Sequence, residues 1–159
     1  MGGIGAGMVC MEGTGSLSHV SLRHTPELLN EPIMFSAIYI KNTKTARILE
    51  GPVRSWKIFG TPRSSLGGSG TTWGLPRFRK CSFSAKFPFA TVLLEDNDMP
   101  VTAELTGWSP FIPADEDSSS LPVFALEYYI VMSYNSVRKK IIFLTNKNLM
   151  KNIISYSKP

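Results

Sequence analysis

The sequence predicts an all-β fold, a partial antiparallel β-sandwich, on three observations. Short segments alternate apolar and polar residues with period two, clusters of Pro, Asn, Asp, Ser and Gly separate them, and no segment of the body longer than about ten residues keeps a 3.6-residue repeat. Many short strands joined by such turns are most economically packed as two sheets face to face. At 159 residues, 43% hydrophobic and 11% aromatic, the chain is long enough and apolar enough for one domain with a core.

The strands follow in order. "LSHVSLR" (17–23) opens the series, and "IMFSAIYIK" (33–41) is apolar almost throughout, as expected of a strand covered on both sides. "TARILE" (45–50) precedes "GTPRSSLGGSGTTWG" (60–74), a glycine-rich stretch that reads as a surface loop. In "CSFSAKF" (81–87) the residues Cys81, Phe83, Ala85 and Phe87 make one apolar face, with Ser82, Ser84 and Lys86 on the wet one. "FATVLLE" (89–95) comes next, and "VTAELT" (101–106) repeats the alternation with Val101, Ala103 and Leu105 against Thr102, Glu104 and Thr106. "VFALEYYIV" (123–131) closes the series. Residues 1–130 are thus expected to form the sandwich domain.

Residues 131–159 break the pattern. They contain no Gly and no acid and are rich in Asn, Ile, Lys, Ser and Tyr, so they read as an atypical basic tail, with a helical repeat over 137–154 that places Ile141, Leu144 and Asn148 on one face. Those residue types are what A/T-rich codons encode, which raises the expectation that the tail stems from a shifted reading frame or from translation into a non-coding region. The net charge of +5 resides in this tail, since Arg138, Lys139, Lys140, Lys147, Lys151 and Lys158 follow the last acid, Glu127. The body is close to neutral, so nucleic acid is not an expected partner.

Cys10 and Cys81 are too few for a disulfide framework, and with His19 and His24 they show no metal-ligand spacing, so no metal site or cofactor is expected. No run of about 18 apolar residues suggests a transmembrane segment, and no signal peptide is visible, which leads to an expectation of a cytoplasmic protein. "DEDSS" (115–119) begins like a calcium loop, but the sixth position is Ser120 and the twelfth is Leu126, where Gly and Glu are needed. "MGGIGAGM" lacks the glycine spacing and preceding strand of a dinucleotide turn, and no G-x-S-x-G elbow or paired-carboxylate arrangement supplies a catalytic constellation. No catalytic residue is therefore expected. Trp56, Trp73 and Trp108 could stack on sugars, because an aromatic face suits the C–H face of a pyranose, with Trp73 and Trp108 the candidate carbohydrate contacts; the other reading, commoner for tryptophans of an all-β domain, is a place in the core.

Three stretches carry a resemblance: "GGIGAG" (2–7), "FPFATV" (87–92) and "SPFIPADEDSSSLPV" (109–123). In this order they resemble the N-terminal domain of glycoside hydrolase family 116, the non-lysosomal glucosylceramidases and related bacterial β-glucosidases. The resemblance covers residues 2 to about 130 and implies an N-terminal β-sandwich packed on a C-terminal (α/α) barrel. It also implies a retaining, two-step hydrolysis of β-glucosides by two carboxylates of that barrel, which these residues do not include. The chain is therefore expected to be a truncated, non-catalytic domain whose partner is the barrel. A stand-alone carbohydrate-binding module is the other reading. Within the third stretch, Pro110, Pro113, Asp115, Ser119, Leu121 and Pro122 read as a structural signature: prolines stiffen the crossing between strands, and Asp and Ser side chains satisfy backbone N–H groups.

Overall fold

The computed structural model describes residues 1–22, 25–26, 31–32, 34–59, 73–132 and 138–144, with the side chains of Trp56, Phe59 and 138–144 left aside. The described strands are β1 (Met8–Met11), β2 (Leu17–Ser21), β3 (Ala37–Ile40), β4 (Thr45–Ile48), β5 (Lys80–Lys86), β6 (Phe89–Glu95), β7 (Val101–Trp108), β8 (Ala125–Met132) and β9 (Arg138–Leu144). Two short helical turns accompany them, α1 (Ser55–Phe59) and α2 (Glu116–Ser119). The fold is all-β and antiparallel. A five-stranded meander, β5-β6-β7-β8-β9, is joined by two hairpins, β1-β2 and β3-β4.

The alternation in the sequence decides which face of the meander is buried. Registers Val92↔Leu105, Leu94↔Ala103, Leu105↔Tyr128 and Gly107↔Leu126 place these residues in rows on one face. All of them except glycine join Val9, Leu17, Leu49 and Phe78 in one core cluster. A Cβ added at Gly15, in the turn between β1 and β2, would lie 3.1 Å from Leu105 Cδ2, so that turn rests directly on the middle of the sheet. Ile38 and Ile40 of β3 pack against the same cluster. The hairpins thus form the second layer of a partial sandwich. Fully buried Leu105, Val92 and Leu94 each contribute about 1.5–3 kcal/mol of apolar burial.

Ion pairs fasten the layers. Arg47 of β4 donates to Asp96, beyond β6, at 2.8 Å. Arg77, just before β5, meets Glu50, just after β4, at 3.2 Å. Lys57 of α1, almost fully buried, donates to Glu12 at 2.5 Å and also to Glu31.

Three expectations change. The segment 33–41, expected to be covered on both sides, forms β3 over Ala37–Ile40 with one open face, Tyr39 being 60% exposed, because β3 belongs to a two-stranded hairpin whose Ile38 and Ile40 face meets the core. The apolar face of β5 is largely uncovered: Cys81 is half-buried, but Phe83 is 46% and Phe87 73% exposed. The cause is position, because β5 is the terminal strand of the meander and, among the described residues, the second layer reaches Cys81, under Gly51, and one flank of Phe83, beside Gly13. The helix expected over 137–154 is replaced at 138–144 by β9, which pairs with β8 from Val131↔Arg138 to Ala125↔Leu144. A free strand edge satisfies the backbone of an Ile-Ile-Phe-Leu run better than a short helix with a poor apolar stripe. The rest of that helical reading, the loop body at 60–72 and the start of the tail at 133–137 lie outside the described residues.

Candidate functional site

The three stretches that carry the family resemblance lie far apart in sequence and meet at one corner of the meander. Trp108 ends β7, Phe89 begins β6, and the register pairs them across the ladder, with ring centroids 6.5 Å apart. The chain leaves β7 through Ser109 and Pro110, and Phe111 then folds back to meet Phe87 edge-on, with centroids 5.0 Å apart and planes at 75°. Residues 87–92 and 109–123 are thereby joined.

The loop 109–123 is held by its own serines and aspartate. Asp115 caps α2: its carboxylate accepts from the Ser118 backbone N–H at 2.9 Å and from the Ser118 hydroxyl at 2.7 Å. Those two donors, the backbone N–H foremost, hold the Asp115 carboxyl below the usual carboxylate range. Ser119 is 2% exposed, and its hydroxyl both donates to the Ile112 carbonyl at 3.0 Å and accepts from the Ile112 N–H at 2.9 Å. Ala114 takes a left-handed conformation, φ 63°, at the tip.

The opening stretch locks this loop from the other side. The Ile4 N–H donates to the Ser119 carbonyl at 2.9 Å, and the Gly2 N–H to the Ser109 hydroxyl at 3.0 Å. Gly3 is packed so tightly that a Cβ there would lie 2.1 Å from the Leu121 carbonyl oxygen, while Gly5 turns the chain at φ +73° in open space. The signature residues thus divide by task. Asp115 and Ser119 make hydrogen bonds; Pro110 is half-buried at the β7 exit; Pro113, Leu121 and Pro122 are exposed on the loop surface.

That surface is apolar. Ile4 is 62%, Phe87 73%, Ile112 52% and Leu121 50% exposed, and the partly exposed Phe111 and Phe89 lie among them. A corner that gathers this many exposed large hydrophobics marks an interaction surface. Trp108 is half-buried at this corner. Trp73 is also half-buried, but it lies beyond the opposite end of β5, where its carbonyl accepts from Arg77 at 3.0 Å, so the structure does not bring the two tryptophans together. The Trp56 side chain lies outside the described residues.

Sequence reasoning missed the charged clusters, whose partners are distant in the chain. Burial alone would raise the Asp96 carboxyl, but the Asp98 N–H and the Arg47 and Arg79 guanidiniums bring it below its ordinary value. Burial pushes Glu50 upward despite Arg77. Burial pulls Lys57 down, yet hydrogen bonds to Glu12 and Glu31 leave it raised. Among the described residues no group of three or more His, Cys, Asp or Glu is placed to hold a metal ion, and no helix is long and apolar enough to cross a membrane. The two cysteines are free thiols.

A search of curated proteins returned no match. A comparison with family models matches residues 1–157 to the family described as beta-glucosidase 2, glycosyl-hydrolase family 116 N-term. The match runs from the opening glycines through the converging stretches into the basic tail. With almost the whole chain covered, this protein belongs to the N-terminal domain family of the family 116 glycosyl hydrolases.

Proposed function

We propose that this chain serves as the non-catalytic N-terminal domain of a retaining β-glycosidase, and that the corner built from residues 2–7, 87–92 and 109–123 seats the catalytic (α/α) barrel that hydrolyses the β-glucoside. The observation that carries this reading is the convergence of three stretches on one internally hydrogen-bonded, exposed apolar surface. A loop whose polar groups are internally bonded and whose Ile112, Phe111 and Leu121 side chains face outward is built for packing against another body, not for chemistry. The two free thiols fit a reducing compartment, so the cytoplasm is the proposed location.

The test is reconstitution. The purified chain is expected to leave an aryl β-glucoside intact, and a separately expressed barrel to gain activity when the chain is added. Ile112→Asp is expected to weaken that gain. Turnover by the chain alone, or a barrel indifferent to its presence, refutes the reading. The Phe89–Trp108 pair at the sheet's end supports a second reading, a sugar-binding module. Glucoside binding by the isolated chain, lost in Trp108→Ala, would favour it.

A further inference from the structure

The opposite flank of the meander carries a different feature. β5 terminates the sheet, and among the described residues its backbone pairs only with β6 along Lys80–Lys86. Beside its first residues lies a groove of about 620 Å³, walled by 52–55 on one side and by 79–82 with Glu95 on the other, so that three cations outnumber its one carboxylate. Among the described residues Arg54 and Lys80 line it without ion partners; Lys80 stands opposite Glu95 in register, but the two form no ion pair. Arg79 adds a third cation, already engaged with Asp98.

The two faces of β5 differ in a way that specifies a ligand. Lys80, Ser82, Ser84 and Lys86 make one row, and exposed Phe83 and Ala85 make the other. A strand laid alongside would set its alternate residues against these rows, because directly opposed cross-strand side chains are the unit of sheet pairing. Carboxylates would meet Lys80 and Lys86, and aliphatic side chains would meet Phe83 and Ala85. The lysines at both ends repel a second copy of this edge, a familiar protection against self-pairing, yet they favour an acidic strand.

We propose that the outer edge of β5, with the groove at Arg54, is a docking site for an extended acidic peptide that adds to the sheet as a further strand. Strand addition supplies the backbone hydrogen bonds; the cations choose the partner.

The probe is a labelled, end-capped peptide alternating Glu and Val, titrated by fluorescence anisotropy into the full chain. Two controls accompany it: the same peptide with Lys for Glu, and the Glu peptide N-methylated at alternate residues to remove one edge of donors. Saturable binding of the Glu peptide that weakens as salt screens the charges, with neither control bound, is the expected result. The doubly substituted Arg54→Glu, Lys80→Glu chain is expected to bind about tenfold more weakly, as two reversed exposed charges allow. Absence of binding, equal binding of the Lys peptide, or undiminished binding of the N-methylated peptide overturns the proposal on the native chain, whatever the variant's folding. Unchanged affinity in a folded double variant moves the contact to the basic tail and also overturns it.

Discussion

Ser119 shows how much one buried hydroxyl can organise. It satisfies both backbone groups of Ile112 at once, so Ser119→Ala leaves the Ile112 N–H without a partner inside a packed loop. The expected loss is about 1–3 kcal/mol, read as a lower urea midpoint at unchanged slope. Gly3 and Gly5 make a sharper comparison within the same stretch. Gly3→Ala forces the Leu121 carbonyl aside and is expected to cost several kcal/mol, whereas Gly5→Ala meets no atom and incurs only left-handed strain of about 1 kcal/mol. Parallel urea melts of the two variants check the order, and equal losses would mean that the close approach at Gly3 is not what positions the loop. Titration follows the same residues. Asp96 and Asp115 are both depressed, so the stability they contribute is present above the ordinary carboxylate pKa of about 3.9 and is lost as pH falls through their lower folded values. Glu50 acts in the opposite sense: its raised value means that its ionised form opposes folding at neutral pH and that protonation relieves this as pH falls. Asp115→Asn and Asp96→Asn are therefore expected to flatten the acid limb of a stability-versus-pH curve, with Glu50→Gln steepening it.

At the level of elements, period-two alternation, clearest in 81–87 and 101–106, together with the turn residues between segments made seven strands legible, because a half-buried strand leaves its burial pattern in its own residues. Val101, Ala103 and Leu105 are 2%, 1% and 0% exposed, as their spacing requires. β1 escaped notice because four residues between glycines are too few to show a period. β9 escaped it because Arg-Lys-Lys-Ile-Ile-Phe-Leu has no alternation, and only the open edge of β8 decides its conformation. The face of β5 was right in phase and wrong in burial, since a sequence shows which residues share a face but not how far the opposite layer extends. The corner was legible as three motifs and not as one place, because its contacts join residues as remote as Gly2 and Ser109, 107 apart, and Ile4 and Ser119, which are further apart still. The same limit hid Lys57, which ties α1 to the end of β1 through Glu12 and to Glu31. Lys57→Met leaves those carboxylates without their cation, and a loss of about 3 kcal/mol is expected by chemical denaturation. Its raised pKa gives a second signature: the stabilisation is complete below the unfolded lysine value of about 10.4 and disappears as pH rises through the folded value. An alkaline unfolding limb that is shallower in Lys57→Met than in the native chain, the remainder coming from buried Tyr128, whose hydroxyl is likewise pushed up by burial, would establish the assignment.

For the molecule as a whole, the two layers share one cluster, so its middle should govern the entire fold. Leu105 is completely buried between the sheet and the β1-β2 turn, and Leu105→Ala is expected to lower stability by about 2–5 kcal/mol in a single transition that melts both layers together. The exposed corner belongs to the same scale, because it sets the behaviour of the chain toward other bodies rather than its own stability. Phe87, Ile112 and Ile4 cover the core only slightly, being 73%, 52% and 62% exposed, yet together they present apolar surface to water. A chain carrying such a surface without a partner is expected to associate with itself through it as concentration rises. The double substitution Phe87→Lys, Ile112→Lys should abolish that association while leaving the melting temperature nearly unchanged, since neither side chain contributes much burial to the fold. Light scattering over a concentration series, paired with thermal melts, separates the two quantities. Persistent association with an unchanged melt would locate the self-contact away from the corner. A large fall in melting temperature would mean that the Phe87–Phe111 contact supports the signature loop itself, making the corner a structural element first and a docking surface second.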